Sequence, residues 1–436
     1  MPSELQVLPL EECLEALIDY RGKTPRKTDS GIPLITAKVV KGGRIETPTE
    51  FIAPEDFDSW MTRGLPRIGD VVMTTEAPLG EVGQILSLPV ALAQRIVTLR
   101  GKPHLLDNDY LLYMLQAEAF QEQLKGRSSG TTVVGIKQSE LRKVRLHLPP
   151  VQLQREVASI LKALDRRIDL LRQTNSTLDS IAQVLFKSWF IDFDPVLAKA
   201  DGREPDGMDA ATAALFPAQF EDSELGPVPK GWTAQPIGDL VEAVGGSTPD
   251  TKNDALWEPA AHHWTSPKDL SGATAPVLLD TERKVSDAGL AKISSGLLPV
   301  GTLLMSSRAP IGYLSLSQIP VAINQGYIAM PPGGRLPPAY LYFWCQLNMD
   351  AIKGRANGST FMEISKKAFR PIPALSPSPE VVDRFHDFAT AVFNRLTANE
   401  RQARALAELR DTLLPRLISG KLQIPELQAQ VEEALA

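Results

Sequence analysis

The chain has almost no cysteine: two residues, Cys13 and Cys345, stand 332 positions apart in a sequence of 436. That spacing suggests neither a disulfide framework nor a cysteine metal site, and it fits a reducing compartment. Aromatic residues amount to only 6%, and the net charge is -6, well short of the basic balance expected of a domain that binds DNA unaided. The first twenty residues carry four glutamates and one aspartate without a basic start and an apolar core, so no secretory leader is expected. An uncharged run of 26 residues lies between Arg308 and Arg335, but Pro310, Pro320, Asn324, Gln325, Pro331 and Pro332 interrupt it, which argues against a membrane span. A cytoplasmic protein with no membrane segment is expected.

The negative charge is local. Residues 192–230 hold nine acidic side chains against three basic ones, which accounts for the whole net charge. Near-neutral flanking regions imply either that DNA is not the partner or that other subunits help to hold it.

What the chain does have is an internal repeat. RIGDVVMTTEAPLGE at 67–81 matches PVGTLLMSSRAPIGY at 299–313, with Gly69, Met73, Ala77, Pro78 and Gly80 recurring as Gly301, Met305, Ala309, Pro310 and Gly312. VALAQRIV from Val90 then resembles VAINQGYI from Val321, DYLLYMLQ from Asp109 resembles AYLYFWCQ from Ala339, and KGRSSGTT from Lys125 resembles KGRANGST from Lys353. The order is kept and the offset drifts only from 232 to 228. This is a duplicated domain, and two copies are too few for a solenoid.

Each copy ends in a long amphipathic stretch. Val157, Leu161, Leu164, Ile168, Leu171, Asn175, Leu178, Ala182 and Leu185 alternate steps of four and three, the pattern of a coiled-coil seam. Adding 228 gives Phe385, Ala389, Val392, Leu396, Asn399, Ala403, Leu406, Arg410 and Leu413. Pro149 and Pro150 precede the first stretch; Ser378 reads as an N-cap before Pro379, and Gly420 closes the second. The expected fold is α+β: two similar mixed α/β domains held apart by two long antiparallel helices with a pseudo-two-fold axis. Its parts are a first domain at 1–149, a helix at 150–191, an acidic linker at 192–231, a second domain at 232–378, a helix at 379–420 and a tail at 421–436. Asn175 and Asn399 are expected to pair in the seam and fix its register.

Catalytic motifs are weak. Gly126-Arg127-Ser128-Ser129-Gly130 fits the nucleophile-elbow spacing, but no strand precedes it, no helix follows it, and the second copy has Ala356 in place of the serine. Gly22-Lys23-Thr24 lacks the upstream glycine of a phosphate loop, which is Leu17 here. Pro249-Asp250 with Glu282-Arg283-Lys284 is a loose nuclease-like set that the first copy does not repeat, and His262 and His263 are not at ligand spacing. No catalytic residue and no metal site is assigned.

Basic residues are more plentiful. Arg21, Lys23, Arg26, Lys27, Lys38, Lys41 and Arg44 crowd one stretch, and Arg127, Lys252, Lys268, Arg308 and Arg355 complete the candidate DNA-binding set. A charge run is usually a solvated face. Within the matched hairpin, however, Glu76 is replaced by Arg308. A shared frame carrying different side chains suits two modules that read different bases, because base edges differ in donors and acceptors while phosphates do not.

LPPVQLQREVASILKALDRRIDLLRQTNSTLDSIAQVLFKSWFIDFDPV, GMDAATAALFPAQFEDSELGPVPKGW and RALAELRDTLLPRLISGKL, with the duplicated heads, resemble the specificity subunits of type I restriction-modification systems over essentially the whole chain. The resemblance implies that each head reads one half of a split site in double-stranded DNA and that the helices act as a spacer, comparable to one turn of DNA. It also implies two methyltransferase subunits bringing S-adenosylmethionine, and restriction subunits bringing ATP- and magnesium-dependent translocation and cleavage. No cofactor is expected in this chain. Phe186, Trp189 and Phe190 are expected either to dock the methyltransferase or to cap the coiled coil and pack on a head. The competing readings are a two-headed protein adaptor without base recognition and, less favoured, a standalone nuclease.

Overall fold

Short β-branched and apolar runs between glycines and prolines become strands, and the two continuous four-three patterns become helices. The computed structural model describes residues 5–22, 24–130, 133–358 and 362–418. The chain divides into two units, one built from residues up to Ile168 together with those from Ala405 onward, the other from Asp169–Arg404. Among the described residues no helix is long and apolar enough to cross a membrane.

In the first unit the strands are β1 (Gln6–Pro9), β2 (Leu14–Asp19), β3 (Ile32–Ile35), β4 (Phe51–Ile52), β5 (Val71–Thr75), β6 (Leu79–Gln84), β7 (Ala91–Leu92), β8 (Ile96–Gly101) and β9 (Arg145–Leu148). They form a four-stranded sheet of order β2-β8-β5-β6, a three-stranded sheet of order β4-β3-β7, and the pair β1-β9. Helices α1 (Asn108–Gln116) and α2 (Glu118–Gly126) follow β8.

In the second unit the strands are β10 (Thr233–Pro236), β11 (His262–Thr265), β12 (Val277–Leu278), β13 (Arg283–Val285), β14 (Leu303–Ser306), β15 (Leu314–Ser317), β16 (Ala322–Ile323), β17 (Tyr327–Met330) and β18 (Pro373–Ser376). Its sheets are β12-β15-β14-β17, β13-β11-β16 and β10-β18. The architecture of the first unit therefore recurs, with parallel pairing of β3 with β7 and of β11 with β16 between antiparallel neighbours. Where the first unit pairs β2 with β8, the second keeps only an isolated bridge between Val244 and Ala329.

The recurring residues are those the backbone demands. Gly80 and Gly312 both lie at positive φ, 88° and 108°. A Cβ on Gly80 would sit 2.8 Å from Leu124 of α2, and one on Gly312 would sit 2.7 Å from the Met349 sulfur. Ala77 and Ala309 share a left-handed φ of 47° and 53°, a conformation that costs a side-chain-bearing residue about 1–2 kcal/mol. Met73 and Met305 are completely buried in β5 and β14. Core substitutions separate the copies: Asp70 and Arg100 form a buried two-point ion pair at 2.8 and 2.7 Å in the first, whereas the position matching Asp70 is Thr302, whose hydroxyl donates to the Pro299 carbonyl.

The two seams become α3 (Val151–Phe190) and, after α4 (Pro338–Leu347) and α5 (Met349–Gly354), α6 (Pro379–Ile418). Each spans forty residues, about 60 Å at 1.5 Å per residue. Both contribute to each unit: α3 begins in the first and ends in the second, and α6 the reverse. The positions of four-three spacing are the buried ones, from Val157 to Ala182 on α3 and from Phe385 to Leu413 on α6, apart from partly buried Leu178 and Arg410. Within the second unit the helices run antiparallel, with Asn175 beside Asn399 and Phe186 beside Phe385. The Asn399 amide donates to the Asn175 side-chain oxygen at 2.8 Å, and the Asn175 amide donates to the Leu396 carbonyl at 3.3 Å. Within the first unit Arg410 is neutralised by Asp165 at 2.6 Å, and Asp165 also accepts the Tyr113 hydroxyl of α1 at 2.7 Å. Buried Gln154 ties the start of α3 to its head through the carbonyls of Leu105 and Pro149.

Ser378 differs from its expected role. Its carbonyl accepts from Val381 and Val382, but its buried hydroxyl meets no partner among the described residues, so it does not cap α6 with its side chain. Gly420 and the tail lie outside the described residues. The acidic segment 192–231 is folded: helices at Asp194–Ala200 and Ala210–Ala214 and a hairpin of Phe220–Ser223 with Gly226–Pro229 bury Val196, Phe216 and Val228 in the core of the second unit while the carboxylates stay outside. Arg384 of α6 binds it through Thr212 and Asp209, both at 2.9 Å.

Two stability predictions rest on these pairs. Replacing both Asn175 and Asn399 by leucine should raise the melting temperature, whereas Asn175→Leu alone strands the Asn399 amide and should cost about 1–3 kcal/mol; an unchanged or lower melting temperature for the double variant counts against the pair as a register device. Asp70→Ala removes the two-point partner of the buried Arg100 guanidinium, leaving it only the longer contact to Glu15 at 3.8 Å, and should destabilise the chain by about 3 kcal/mol in denaturant titration.

Candidate nucleic-acid interface

Each unit presents the same surface device, a hairpin tip bonded to a glycine-rich loop. In the first unit the tip of β5-β6 is Glu76-Ala77-Pro78, and the loop after α2 returns so that Ser129 and Gly135 exchange both main-chain hydrogen bonds, at 2.9 and 3.0 Å. Ile136 then donates to the Thr75 carbonyl, and Glu76 bridges Gly135. In the second unit Asn357 and Glu363 exchange both bonds, Ile364 donates to the Ser307 carbonyl, and Arg308 bridges Glu363. The main-chain ladder is the same in both copies and the charges on it are reversed. Glu76 turns to Arg95 at 3.3 Å, whereas Arg308 faces Glu363 at 3.8 Å. In the second unit a cleft of about 550 Å³ opens here, lined by Arg308, Pro310, Ile311, Lys353, Met362 and Glu363.

The other basic candidates are mostly paired. Lys27 and Lys38 are brought together on Glu50, at 2.9 and 3.5 Å, and the Lys27 ammonium holds the Glu50 carboxyl below its usual range. Arg21 pairs with Asp19, Lys41 with Glu46, Arg127 with Glu140 and Lys268 with Glu282. Exposed pairs of this kind contribute little to stability, so their cations can exchange a carboxylate for a phosphate at small cost. Arg44 is half-buried in the short hairpin at residues 40–45. Arg26, Lys252 and Arg355 are exposed and form no ion pair among the described residues. Lys23 lies outside the described residues. The structure does not gather all of these into one patch: seven belong to the segment from Arg21 to Arg44, and the rest lie on separate elements.

The expected docking aromatics need correction. Phe186 is completely buried, with Trp189 and Phe190 at 6% and 3% exposure. They pack against Tyr340, Phe385 and Phe216, with ring centroids 4.8–5.4 Å apart, because the folded segment after α3 closes over them. They form core and are not a free surface. The exposed apolar residues of α3 are instead Leu170, Ile181 and Val184, with Ile191 just past its end, and at 100° per residue all four fall within one face.

The weak motifs resolve into ordinary structure. Ser128 donates to the Lys125 carbonyl at 2.6 Å as part of a helix C-terminus. Glu282 is held by Lys268, and His262 and His263 turn to different partners, Asp287 and Thr281. Sequence reasoning met Arg283 only within the nuclease-like set and not as a DNA contact; it lies 3.4 Å over the Trp257 ring. The available signal was two tryptophans seven positions apart, Trp257 and Trp264, upstream of the Arg283-Lys284 pair.

The comparisons agree with this arrangement. Residues 2–180 and 229–403 each match the family described as the type I restriction modification DNA specificity domain. The HindI type I restriction enzyme specificity subunit of Haemophilus influenzae is 26% identical over 357 residues, covering 72% of this chain and 77% of that protein. The MjaIX specificity subunit of Methanocaldococcus jannaschii is 24% identical over 365 residues, covering 82% and 79%. The crystal structure of the S subunit of a type I restriction-modification system from M. genitalium superposes with a TM-score of 0.56 at 16% identity, covering 95% of this chain and 96% of that one, which shows a shared fold. With the domain matched twice, once over each of its mixed α/β heads, the chain belongs to the type I restriction-modification DNA specificity family.

Proposed function

We propose that this chain is the DNA-reading subunit of a type I restriction-modification complex, each unit reading one half of a two-part site in double-stranded DNA. The observation that carries the reading is the repeated ladder of hairpin tip and glycine-rich loop, on which Glu76 in one copy and Arg308 in the other stand at the same backbone position. A constant frame positions the module on the phosphates, and variable side chains on it discriminate bases. Methyl transfer with S-adenosylmethionine, and ATP- and magnesium-dependent cleavage, fall to partner subunits, which also supply cationic surface that these near-neutral heads lack.

The gap between the half-sites scales with the length of α3 and α6. A seven-residue insertion at matching places in both helices preserves the seam and adds about 10 Å, roughly three base pairs. Sequencing of methylated adenines in cells expressing the variant complex should find the same half-sites separated by a longer gap; altered half-sites with the original gap would defeat the ruler.

The methyltransferase subunit docks on the exposed face of α3. Val184, 68% exposed on that face, is the residue to change. Val184→Glu should abolish co-purification of the methyltransferase while leaving the melting temperature of the isolated chain within about a degree, since an exposed substitution moves stability by under about 0.5 kcal/mol. A changed oligomeric state of the chain itself, with methyltransferase binding intact, would assign the face to self-association.

A further inference from the structure

The geometry points to Arg283 as a specificity-determining residue of the second unit, its guanidinium set to grip the O6 and N7 edge of a guanine. This rests on the DNA-reading function proposed above and adds the side chain and the base. Arg283 opens β13 and stands directly across from Trp264 of β11 in the antiparallel pair. Its guanidinium carbon lies 3.4 Å from the centre of the Trp257 ring and 5.6 Å from that of Trp264.

The platform beneath it is rigid. The two indoles meet edge to face at 5.2 Å and belong to a small satellite core with Val285, Ile293 and Ala322. Each indole N–H is satisfied by a main-chain carbonyl, Trp257 by Asp250 at 3.0 Å and Trp264 by Ser247 at 3.3 Å. Two tryptophans at 7% and 6% exposure thus carry an exposed arginine on their surface.

Stacking fixes the plane of a guanidinium through its face and leaves the five in-plane N–H donors unused. Among the described residues no carboxylate pairs with Arg283, in contrast to Lys268, Arg127 and Arg308, each of which has one. A planar fork of donors, held in place and unoccupied, matches two acceptors side by side. In the major groove guanine alone offers that pair, and the arginine-guanine pairing is the commonest specific one. A phosphate offers the same two-oxygen chemistry, and the two sources differ in outcome. Removing an arginine that reads a base relaxes one position of the site, whereas removing one that holds a phosphate weakens binding to every site alike.

The test is to co-express the chain with its methyltransferase subunit and map methylated adenines across the host genome for wild type, Arg283→Ala and Arg283→Gln. The expected result is that Arg283→Ala keeps one half-site unchanged and loses discrimination at a single G·C pair of the other half by about ten- to a hundred-fold. Arg283→Gln, similar in size and still polar, should relax the same position or move it toward A·T, because glutamine pairs with adenine. The unchanged half-site reports that each variant complex is folded and assembled. A methylation pattern identical to wild type in both variants overturns the assignment, as does a uniform loss over all sites with no position relaxed, which would mark a phosphate-binding arginine. If the wild-type complex itself methylates no two-part site, the DNA-reading function fails, and Arg283 as a reader fails with it.

Discussion

Everything in this molecule depends on the burial of one apolar seam. A forty-residue helix with a continuous stripe of Leu, Ile, Val and Ala cannot stand alone in water, and a second helix of the same pattern covers it. Because α3 and α6 run antiparallel, each unit draws its core from the beginning of one helix and the end of the other. The first unit is therefore discontinuous in the chain, closed by the end of α6, whereas the second is the unbroken stretch Asp169–Arg404. The seam contains polar exceptions, and each is answered by a specific partner: Asn175 by Asn399, and Arg410 by Asp165 with Tyr113. A polar group in such an interface is tolerated in the one alignment that satisfies it, and that restricts the alignment.

Duplication then supplies two heads from one design. The shared parts are those on which the backbone has no choice: glycines where an added Cβ would come within 3 Å of a neighbouring side chain, alanines at a left-handed φ, and methionines sealed inside the central strands. The parts that differ are side chains on a finished frame. A buried ion pair, Asp70 with Arg100, stands in one head where a threonine suffices in the other, and Glu76 on one hairpin tip is Arg308 on the other. The first copy ends α3 with Phe186 and Trp189, while the matching end of α6 in the second has Leu414 and Leu417, all buried. Aromatic and aliphatic packing fill the same role, because burial rewards apolar area regardless of shape as long as the space is filled.

A division of labour between frame and side chain is what sequence discrimination requires. Phosphate contacts are the same along any duplex and can be made by a constant framework, whereas base edges must be met by particular donors and acceptors. Near-neutral heads whose candidate cations are mostly paired hold no large surplus of positive charge, so the constant framework must present main-chain donors and exchangeable cations to the phosphates.

By itself the sequence determined the duplication, the two long helices, the residues on their seam, and the exchange of Glu76 for Arg308 within a matched hairpin. These are legible because they are local: heptad spacing, turn glycines and aligned motifs are written in consecutive residues. Only the tertiary structure decided that Phe186, Trp189 and Phe190 are core, since that depends on Phe216 of the acidic segment and Trp232 just after it arriving over them. It also decided which carboxylate answers each cation, and that Arg283 lies on Trp257, 26 positions earlier in the chain. Pairings at such a distance are set by strand register and by how layers close on one another, and no local pattern of side chains encodes them.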